Sequence, residues 1–392
     1  ESAMTFRHPL AAALLALVGA SSQAQTSQGV SKNEIVLGSI QDLSGPIAGF
    51  GKQVRQGMLL RVDELNEQGG INGRKIRLLI EDSAYDPKKA VLAAQKLVNQ
   101  DKIFAMVAHI GTPTNNAAMP VQFEKNVINF FPVTAAREMT EPVHKLKFAG
   151  GSSYYDQMRV ALPRLIKDKG AKKICTIYQD DEFGLEVFRG AEAGLKAVGM
   201  DFTEKTTYKR GATDFSSQVA RMKAANCDLV VLGTIIRETI GTIAEGRKTG
   251  FNPAYLGSSA TYTDLIHKLG KKAMDGLYST HTVQHPYMDE VSPKIAFWAK
   301  KYQTKFGDDP TVFSVYGYSA IDTFIQAAQK AGPNLSTDSF IKAMESLTFP
   351  PDMFGSAELT FGPAKRAGSN MTRMSQLQDE RWKPVTEYVK PQ

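Results

Sequence analysis

The feature that most constrains this chain is a regular alternation of short apolar runs with amphipathic segments. Glu34–Ile40 is a run typical of a strand, a helix is predicted to follow as far as Gln68, and Ile76–Glu81 is typical of the next strand. Strands that are apolar throughout are expected where helices cover both faces of a sheet. Alternating strands and helices predict an α/β fold with a parallel, doubly wound sheet.

The same alternation starts again near residue 155, so the chain contains two similar α/β units in tandem. A length of 392 residues is enough for two domains that each bury a core. The segment Gly276–Thr282 is predicted to be a strand that crosses back to the first unit. Ser375–Val385 is predicted to be a hairpin that completes the second unit.

The N-terminal segment has the layout of a secretory leader. Arg7 and His8 precede an apolar run from Leu10 to Val18, and small residues follow up to Ala24. This order predicts a signal peptide over residues 1–24 and export to the periplasm, the alternative being an apolar helix of the fold. The apolar run is too short to cross a bilayer, and no later run reaches 18 apolar residues, so no membrane span is expected in the mature chain.

Charge and cysteine content narrow the class of function. The net charge is +7, but the basic residues are scattered and form no run, which argues against a nucleic-acid partner. Two cysteines, Cys175 and Cys227, exclude a disulfide-rich scaffold. They lie in predicted strands of the second unit, where they are either a disulfide or two buried thiols. We favour buried thiols, because strand cysteines often behave as small hydrophobic residues.

Sequence patterns for catalysis are missing. There is no Gly-x-Ser-x-Gly elbow and no phosphate-binding loop, and the six histidines show no metal-ligand spacing. We therefore expect no enzyme activity, no cofactor and no metal.

Loops rich in small hydroxyl residues follow two predicted strands of the first unit. Gly111–Asn116 begins a helix, whose free backbone N–H groups with Thr112 and Thr114 suit a carboxylate. Thr134 and Arg137 follow the next strand and add a hydroxyl and a cation. The alternatives are plain helix capping for the threonines and a surface salt bridge for the arginine.

These loops, with several spaced motifs, resemble the periplasmic solute-binding proteins of ABC importers, of the branched-chain amino acid (Leu/Ile/Val) type. The resemblance extends from about Glu34 to Trp382 and includes, as one possibility, the branch that binds aromatic acids. The motifs are Gly45-Pro46, Gly69-Gly70-Ile71-Asn72-Gly73, Asp82-x-x-x-Asp86-Pro87-Lys88-x-Ala90, Gly211-x-x-Asp214-Phe215-Ser216 and Gly250-Phe251.

The resemblance implies two Rossmann-like lobes, joined by three crossover segments, with the ligand in the cleft between them. Each lobe is then discontinuous in sequence. We expect the first lobe to contain residues 33–148 and 281–355, and the second to contain residues 149–280 and 356–392.

The ligand contacts of the family fall on identifiable positions of this chain. Tyr154 and Tyr155, at the crossover into the second lobe, are added because they could stack on a flat ligand, the alternative being ordinary hinge packing. The predicted ligand-binding residues are Phe50, Thr112, Pro113, Thr114, Thr134, Ala135, Ala136, Arg137, Tyr154, Tyr155, Phe183, Ile236, Arg237, Ser259 and Phe313.

Departures from the family pattern bear on the ligand. The family's acidic residue that pairs with the α-ammonium of an amino acid falls on Ser259, while Arg137 and Arg237 are new cations, the latter beside Glu238. An unpaired buried ammonium costs several kcal/mol, so the ligand should lack one. The family's first-lobe disulfide is replaced by Tyr85 and Gly111.

We therefore expect a monomeric, exported binding protein that captures a small organic acid without an α-amino group, in particular an aromatic carboxylate. It would deliver this ligand to an ABC permease of the branched-chain amino acid type. The alternatives are a protein that binds a branched-chain or other amino acid, an amide or urea, a ligand-sensing module, and a secreted hydrolase.

Overall fold

The computed structural model describes residues 27–392, and the predicted signal peptide lies outside the described residues. Two α/β lobes are each built around a mainly parallel sheet, as the alternating pattern predicts. They face each other across a cleft, as the family resemblance implies. No helix within residues 27–392 combines the length and apolar character that crossing a membrane requires.

The first lobe is formed by the N-terminal part of the chain. Its sheet has the strand order β2-β1-β3-β4-β5, and all neighbouring strands are parallel. The elements are β1 (Glu34–Gln41), α1 (Ala48–Glu67), β2 (Lys75–Asp82), α2 (Pro87–Gln95), β3 (Ala105–Val107), α3 (Thr112–Glu124), β4 (Ile128–Phe130) and β5 (Lys147–Phe148).

The second lobe repeats this arrangement. Its sheet has the order β14-β13-β10-β9-β8-β6-β7, in which β13 and β14 are antiparallel additions. The elements are α4 (Tyr154–Lys169), β6 (Ile174–Gln179), α5 (Glu182–Ala197), β7 (Glu204–Tyr208), α6 (Ser216–Ala224), β8 (Leu229–Gly233), α7 (Arg237–Lys248), β9 (Ala254–Gly257), α8 (Asp264–Gly270), β10 (Tyr278–His281), β13 (Arg373–Gln378) and β14 (Arg381–Pro384).

The chain between these strands returns to the first lobe. Helix α10 packs on α1 so closely that a Cβ atom at Gly57 would lie 1.9 Å from the carbonyl oxygen of Ser314. Only glycine allows two helix backbones to approach in this way. The returning elements are α9 (Pro293–Phe306), α10 (Val312–Ala331), α11 (Thr337–Ser346), β11 (Thr348–Phe349) and β12 (Leu359–Thr360).

One predicted strand has a different place. The segment Gly276–Thr282 was expected to cross back to the first unit, but β10 lies within the second sheet, parallel to β9 and antiparallel to β13. The chain leaves the second lobe only after His281, because the hydrogen bonds of β10 are used within that sheet. The hairpin predicted over Ser375–Val385 is confirmed as β13 and β14.

The stretch after β12 stays near the first lobe before the final hairpin. Arg366 donates to the carbonyl oxygens of Lys145 and Lys147, and the Phe361 and Phe148 rings are 5.6 Å apart. The residue limits of the two lobes remain a prediction.

The expectation of two buried thiols is wrong. Cys175, in β6, and Cys227, just before β8, form a disulfide with a Cα–Cα distance of 5.9 Å. The two strands are neighbours in the parallel sheet, so their cysteines come within the range that a disulfide requires. Sequence alone could not fix this, because the strand order of the sheet decides which cysteines meet.

Candidate ligand-binding site

The two sheets place equivalent edges toward the cleft. Within each lobe the five parallel strands follow the order 2-1-3-4-5, so the strand order reverses between β1 and β3 and again between β6 and β8. Ligands of open α/β sheets bind outside the carboxyl ends of strands at this switch point. The loops after these four strands are therefore the expected position of a site.

A cavity of about 590 Å³ lies where these loops meet. Its volume is in the usual range for sites that bind small organic molecules. Both lobes and all three connections between them contribute to its walls. Ten of the predicted site residues line it, and these are Phe50, Thr112, Thr134, Ala135, Ala136, Arg137, Tyr154, Phe183, Ser259 and Phe313.

Aromatic rings form the apolar walls of the cavity. Phe50, on α1, and Phe313, on α10, stack with centroids 3.6 Å apart and an interplanar angle of 11°. Tyr154 meets Phe183 from the second lobe edge-to-face at 5.3 Å. Burial raises the pKa of Tyr154, so its hydroxyl stays protonated at neutral pH. Two ring pairs on different lobes can thus enclose a flat apolar group.

The first-lobe hydroxyls meet as the loop pattern predicted. The Oγ1 atoms of Thr112 and Thr134 are 2.6 Å apart, and Thr134 also accepts from the N–H of Ala136. The two hydroxyls share one hydrogen bond, so one of their two O–H groups is left to donate into the cavity. No side chain caps α3, whose first residue is Thr112. Pro113 has no N–H and Asn115 donates to the carbonyl oxygen of Gly111, so the N–H groups of Thr112 and Thr114 are the ones left for a ligand at this helix start.

Two neighbours of Thr112 do not line the cavity. Pro113 is buried in the first turn of α3, and the Thr114 hydroxyl donates to the carbonyl oxygen of Ile110 at 2.6 Å. Successive residues of a helix point in different directions, so only the first of the three faces the cleft. The prediction that Pro113 and Thr114 contact a ligand does not fit this geometry.

Arg137 lines the cavity but is already paired. Its Nε and NH2 atoms donate to the two carboxylate oxygens of Glu186 at 3.0 and 2.9 Å, which raises the pKa of the guanidinium. Glu186 lies on α5 of the second lobe and is 2% exposed. Tyr155 stacks under the guanidinium at 4.0 Å and does not reach the cavity. The pair therefore joins the lobes, and Tyr155 supports it instead of a ligand.

Arg237, the second predicted cation, does not line the cavity. Arg237, the first residue of α7, is exposed, and Ile236 is buried outside the cavity wall. Ile235, one residue earlier, lines the cavity instead. The Glu238 carboxylate accepts from the N–H of Ile235 and the hydroxyl of Tyr208 and makes no direct hydrogen bond with Arg237. At the start of α7 the cavity wall is therefore formed by the apolar Ile235, two residues before the predicted cation Arg237.

Ser259 lines the cavity at the position where the family pattern has an acid. Its N–H donates to Oε1 of Gln157 at 2.9 Å, and its hydroxyl accepts from Nε2 of Gln157 at 3.0 Å. Gln157, on α4, also donates to the carbonyl oxygen of Ser152 and accepts from the hydroxyl of Thr280. Every hydrogen-bonding position of the Gln157 amide is therefore used.

Several cavity residues were not predicted. Tyr85 lies at the lobe boundary, where Nε2 of Gln179 donates to its hydroxyl at 3.2 Å. Phe131 has φ 47°, a left-handed conformation that is rare for a bulky residue and that clusters at ligand clamps. Tyr316 follows Phe313 by one turn of α10. The helical spacing of Phe313 and Tyr316 was a usable signal, whereas the conformation of Phe131 leaves none in the sequence.

The fold and the cavity define a two-lobed binding protein that holds its ligand at two facing switch points. The family model of the periplasmic binding proteins matches residues 34–380. The chain belongs to this family, and within it to the type I proteins of the branched-chain amino acid type.

Individual relatives are similar along most of their length. The chain is 26% identical over 306 residues to an amino acid binding protein of Pseudomonas aeruginosa, covering 77% of this chain and 80% of the relative. A fatty acid ABC transporter substrate-binding protein from Thermomonospora curvata has a TM-score of 0.85 at 23% identity, with 94% and 95% of the two chains covered. A solute-binding protein from R. palustris in complex with benzoate has a TM-score of 0.80 at 17% identity, with 91% and 98% covered. The two structural matches are likenesses of fold.

Proposed function

We propose that this protein binds a small organic carboxylate without an α-amino group, in particular an aromatic one, and delivers it unchanged to the permease of an ABC importer. Capture takes place in the periplasm, after export by the N-terminal leader. The carboxylate lies at the start of α3, and the organic group lies between the aromatic walls.

The observation that carries this proposal is the uncapped first turn of α3 beside the Thr112–Thr134 hydroxyl pair. Backbone N–H groups at a helix start, together with the helix dipole, favour an anion. Hydrogen bonds to an ionised carboxylate are shorter and about twice as strong as those between neutral groups. This region can therefore hold a carboxylate without a free cation.

An ammonium group finds less support, because the carboxylates around the cavity are engaged or lie at its rim. Asp156 accepts from Nε of Arg159 at 2.7 Å, and Asp322 accepts from Nε of Arg61 at 2.9 Å. Glu141 and Asp352 are exposed. Ser259 offers only a hydroxyl where an acid would be needed. A buried ammonium would thus lack the opposite charge that offsets its loss of hydration.

The names of the relatives describe three ligand types, namely amino acids, a fatty acid and benzoate. All three types carry a carboxylate, and only the first carries an α-ammonium. The cavity of this chain supports the shared group and gives no partner to the additional one. The stacked rings of Phe50 and Phe313 favour an aromatic ligand among the remaining types.

Binding without reaction also agrees with the state of the hydroxyls. Thr112 and Thr134 are hydrogen-bonded to each other, whereas a nucleophilic hydroxyl needs a base that accepts its proton. The proposal therefore assigns these groups to recognition.

The test is a matched pair of ligands, 3-phenylpropanoate and phenylalanine, which differ only in the α-ammonium group. We expect calorimetry and thermal unfolding to show binding and stabilisation by 3-phenylpropanoate and a much weaker effect of phenylalanine. Benzoate and leucine extend the comparison to shorter and aliphatic ligands. Binding of phenylalanine or leucine with no response to either aromatic acid would contradict the proposal and favour an amino acid.

A further inference from the structure

The cavity is much longer than a compact ligand requires. It follows one face of α10 from Phe313 through Tyr316 and Ser319 to Thr323 and Gln326. The 13 steps from Phe313 to Gln326 correspond to roughly 20 Å at 1.5 Å per residue. A benzoate or an amino acid would occupy only the inner end, near Phe50 and Phe313.

The outer part of the cavity, which we call the arm, has two different walls. One wall is apolar and is contributed by Phe131, Phe349, Met353 and Leu359. The facing side of α10 offers the polar side chains of Ser319, Thr323 and Gln326, together with Asp322, which is paired with Arg61. A chain or ring could lie on the apolar wall and still present hydroxyl or ether groups to α10. Such a two-sided channel favours a predominantly apolar ligand that also carries a polar substituent.

The arm also contacts each connection between the lobes. Gly151, Thr282 and Asn370, which belong to the three successive connections, all line the cavity. Gly151 lies against Thr282, since a Cβ atom there would approach the Thr282 side chain to 3.2 Å. A ligand that fills the arm would therefore touch the hinge itself, and its length would influence closure.

We propose that the natural ligand is an elongated carboxylate, with its acidic group at the start of α3 and an aryl or alkyl tail in the arm along α10. This inference rests on the proposed function and extends it from a compact acid to an extended one. The tail contributes affinity by burying apolar surface. Each buried methylene contributes roughly a fourfold gain in affinity.

The experiment measures binding of phenylacetate, 3-phenylpropanoate, 5-phenylpentanoate and 8-phenyloctanoate by calorimetry. We expect affinity to rise severalfold for each added methylene until the tail fills the arm. Ser319→Phe places a ring in the arm and should abolish the gain of the longer acids while leaving phenylacetate unchanged. Thr304→Phe, on the exposed face of α9 and outside the cavity, is the matched control and should bind all four acids as the parent does.

The outcomes separate the two proposals. Equal affinities for all four acids, with phenylacetate bound, would contradict the proposal that the tail lies in the arm and would leave the proposed function intact. Failure of all four acids to bind would overturn both. Ala357→Phe narrows the same arm from the 349–359 segment, so a Ser319→Phe protein that does not fold can be replaced by this variant. Full affinity of the longest acid in a folded blocking variant would also overturn the arm.

Discussion

The two lobes present different kinds of polar group to the cavity they share. On the first lobe, the Thr112 hydroxyl and the first turn of α3 keep hydrogen-bonding capacity for a ligand. On the second lobe, Ser259 and Gln157 bond to each other and to neighbouring groups. The Gln157 amide is fully used and holds the shape of a wall, whereas Ser259, whose hydroxyl only accepts from Gln157, keeps one O–H donor. The first lobe therefore has more unused capacity with which to recognise a ligand. We infer that the first lobe captures the ligand and the second closes over it.

The largest effect that should follow from this comparison concerns the disulfide, which lies in the second lobe. Cys175 and Cys227 are separated by 52 residues, so replacing both by alanine should cost about 4 kcal/mol of stability through the freedom gained by the unfolded chain. Urea unfolding would measure this loss, and the reduced parent protein provides the control. An unchanged unfolding midpoint would show that the second lobe does not depend on this crosslink.

The next effect concerns the saturated network. Gln157→Leu removes four hydrogen bonds at a buried position and should destabilise the protein by about 3 kcal/mol, because its partners remain buried without a substitute. The same change at the exposed Gln303 is the matched control. If the Gln157→Leu protein instead has normal stability but binds its ligand more weakly, Gln157 takes part in recognising the ligand.

Thr112→Val should weaken ligand binding and change stability little, which is the reverse of the effect expected for Gln157→Leu. The substitution keeps the shape of the side chain but removes the hydroxyl, so affinity for 3-phenylpropanoate should fall about 10- to 100-fold, or about 1.5–3 kcal/mol. Thermal unfolding without ligand should change little, and Thr304→Val on the exposed face of α9 should leave affinity unaltered. A larger loss of affinity in Ser259→Ala than in Thr112→Val would contradict the inference that the first lobe captures the ligand.

The smallest expected effect per residue is the loss of stability at low pH caused by one buried histidine in each lobe. Burial lowers the pKa of His109, in the first lobe, and of His281, in β10, to about 3. Each folded pKa lies below the unfolded value of about 6.5, so each histidine contributes stability above pH 6.5 that is lost as the pH falls toward 3. At pH 5.5 the loss should be about 1.4 kcal/mol per histidine, measured as the free energy of unfolding against pH. Imidazole signals of His109 or His281 that titrate near pH 6.5 in the folded protein would contradict this prediction.

The fold could be predicted largely from the sequence because apolar periodicity is local. The start of α2, for example, follows from Asp86, whose carboxylate accepts from the N–H groups of Lys88 and Lys89. The position of β10 and the pairing of Cys175 with Cys227 could not be predicted, because both depend on the strand order of the finished sheet.

The candidate site divides in the same way. Thr112 follows a predicted strand end, so its place at the cleft could be inferred from the pattern, whereas Phe50 was assigned there through the family resemblance. The partner of Arg137 is Glu186, 49 residues away on the other lobe, and no local pattern indicates that contact. Arg237 faces solvent because the first residue of α7 points away from the cleft, and a difference of one helical position cannot be read from spacing.

The ion pair between Arg137 and Glu186 has a consequence for signalling to the importer. It links the lobes through the protein's own side chains, so part of the free energy that holds the closed shape is present before any cargo arrives. Apparent affinity scales with the fraction of empty molecules already in the competent shape. A larger fraction tightens capture, but it also makes loaded and unloaded molecules harder to tell apart at the membrane. We infer that this contact, together with others at the lobe boundary such as that of Gln179 with Tyr85, influences the balance between capture at low ligand concentration and activation of the importer without a ligand.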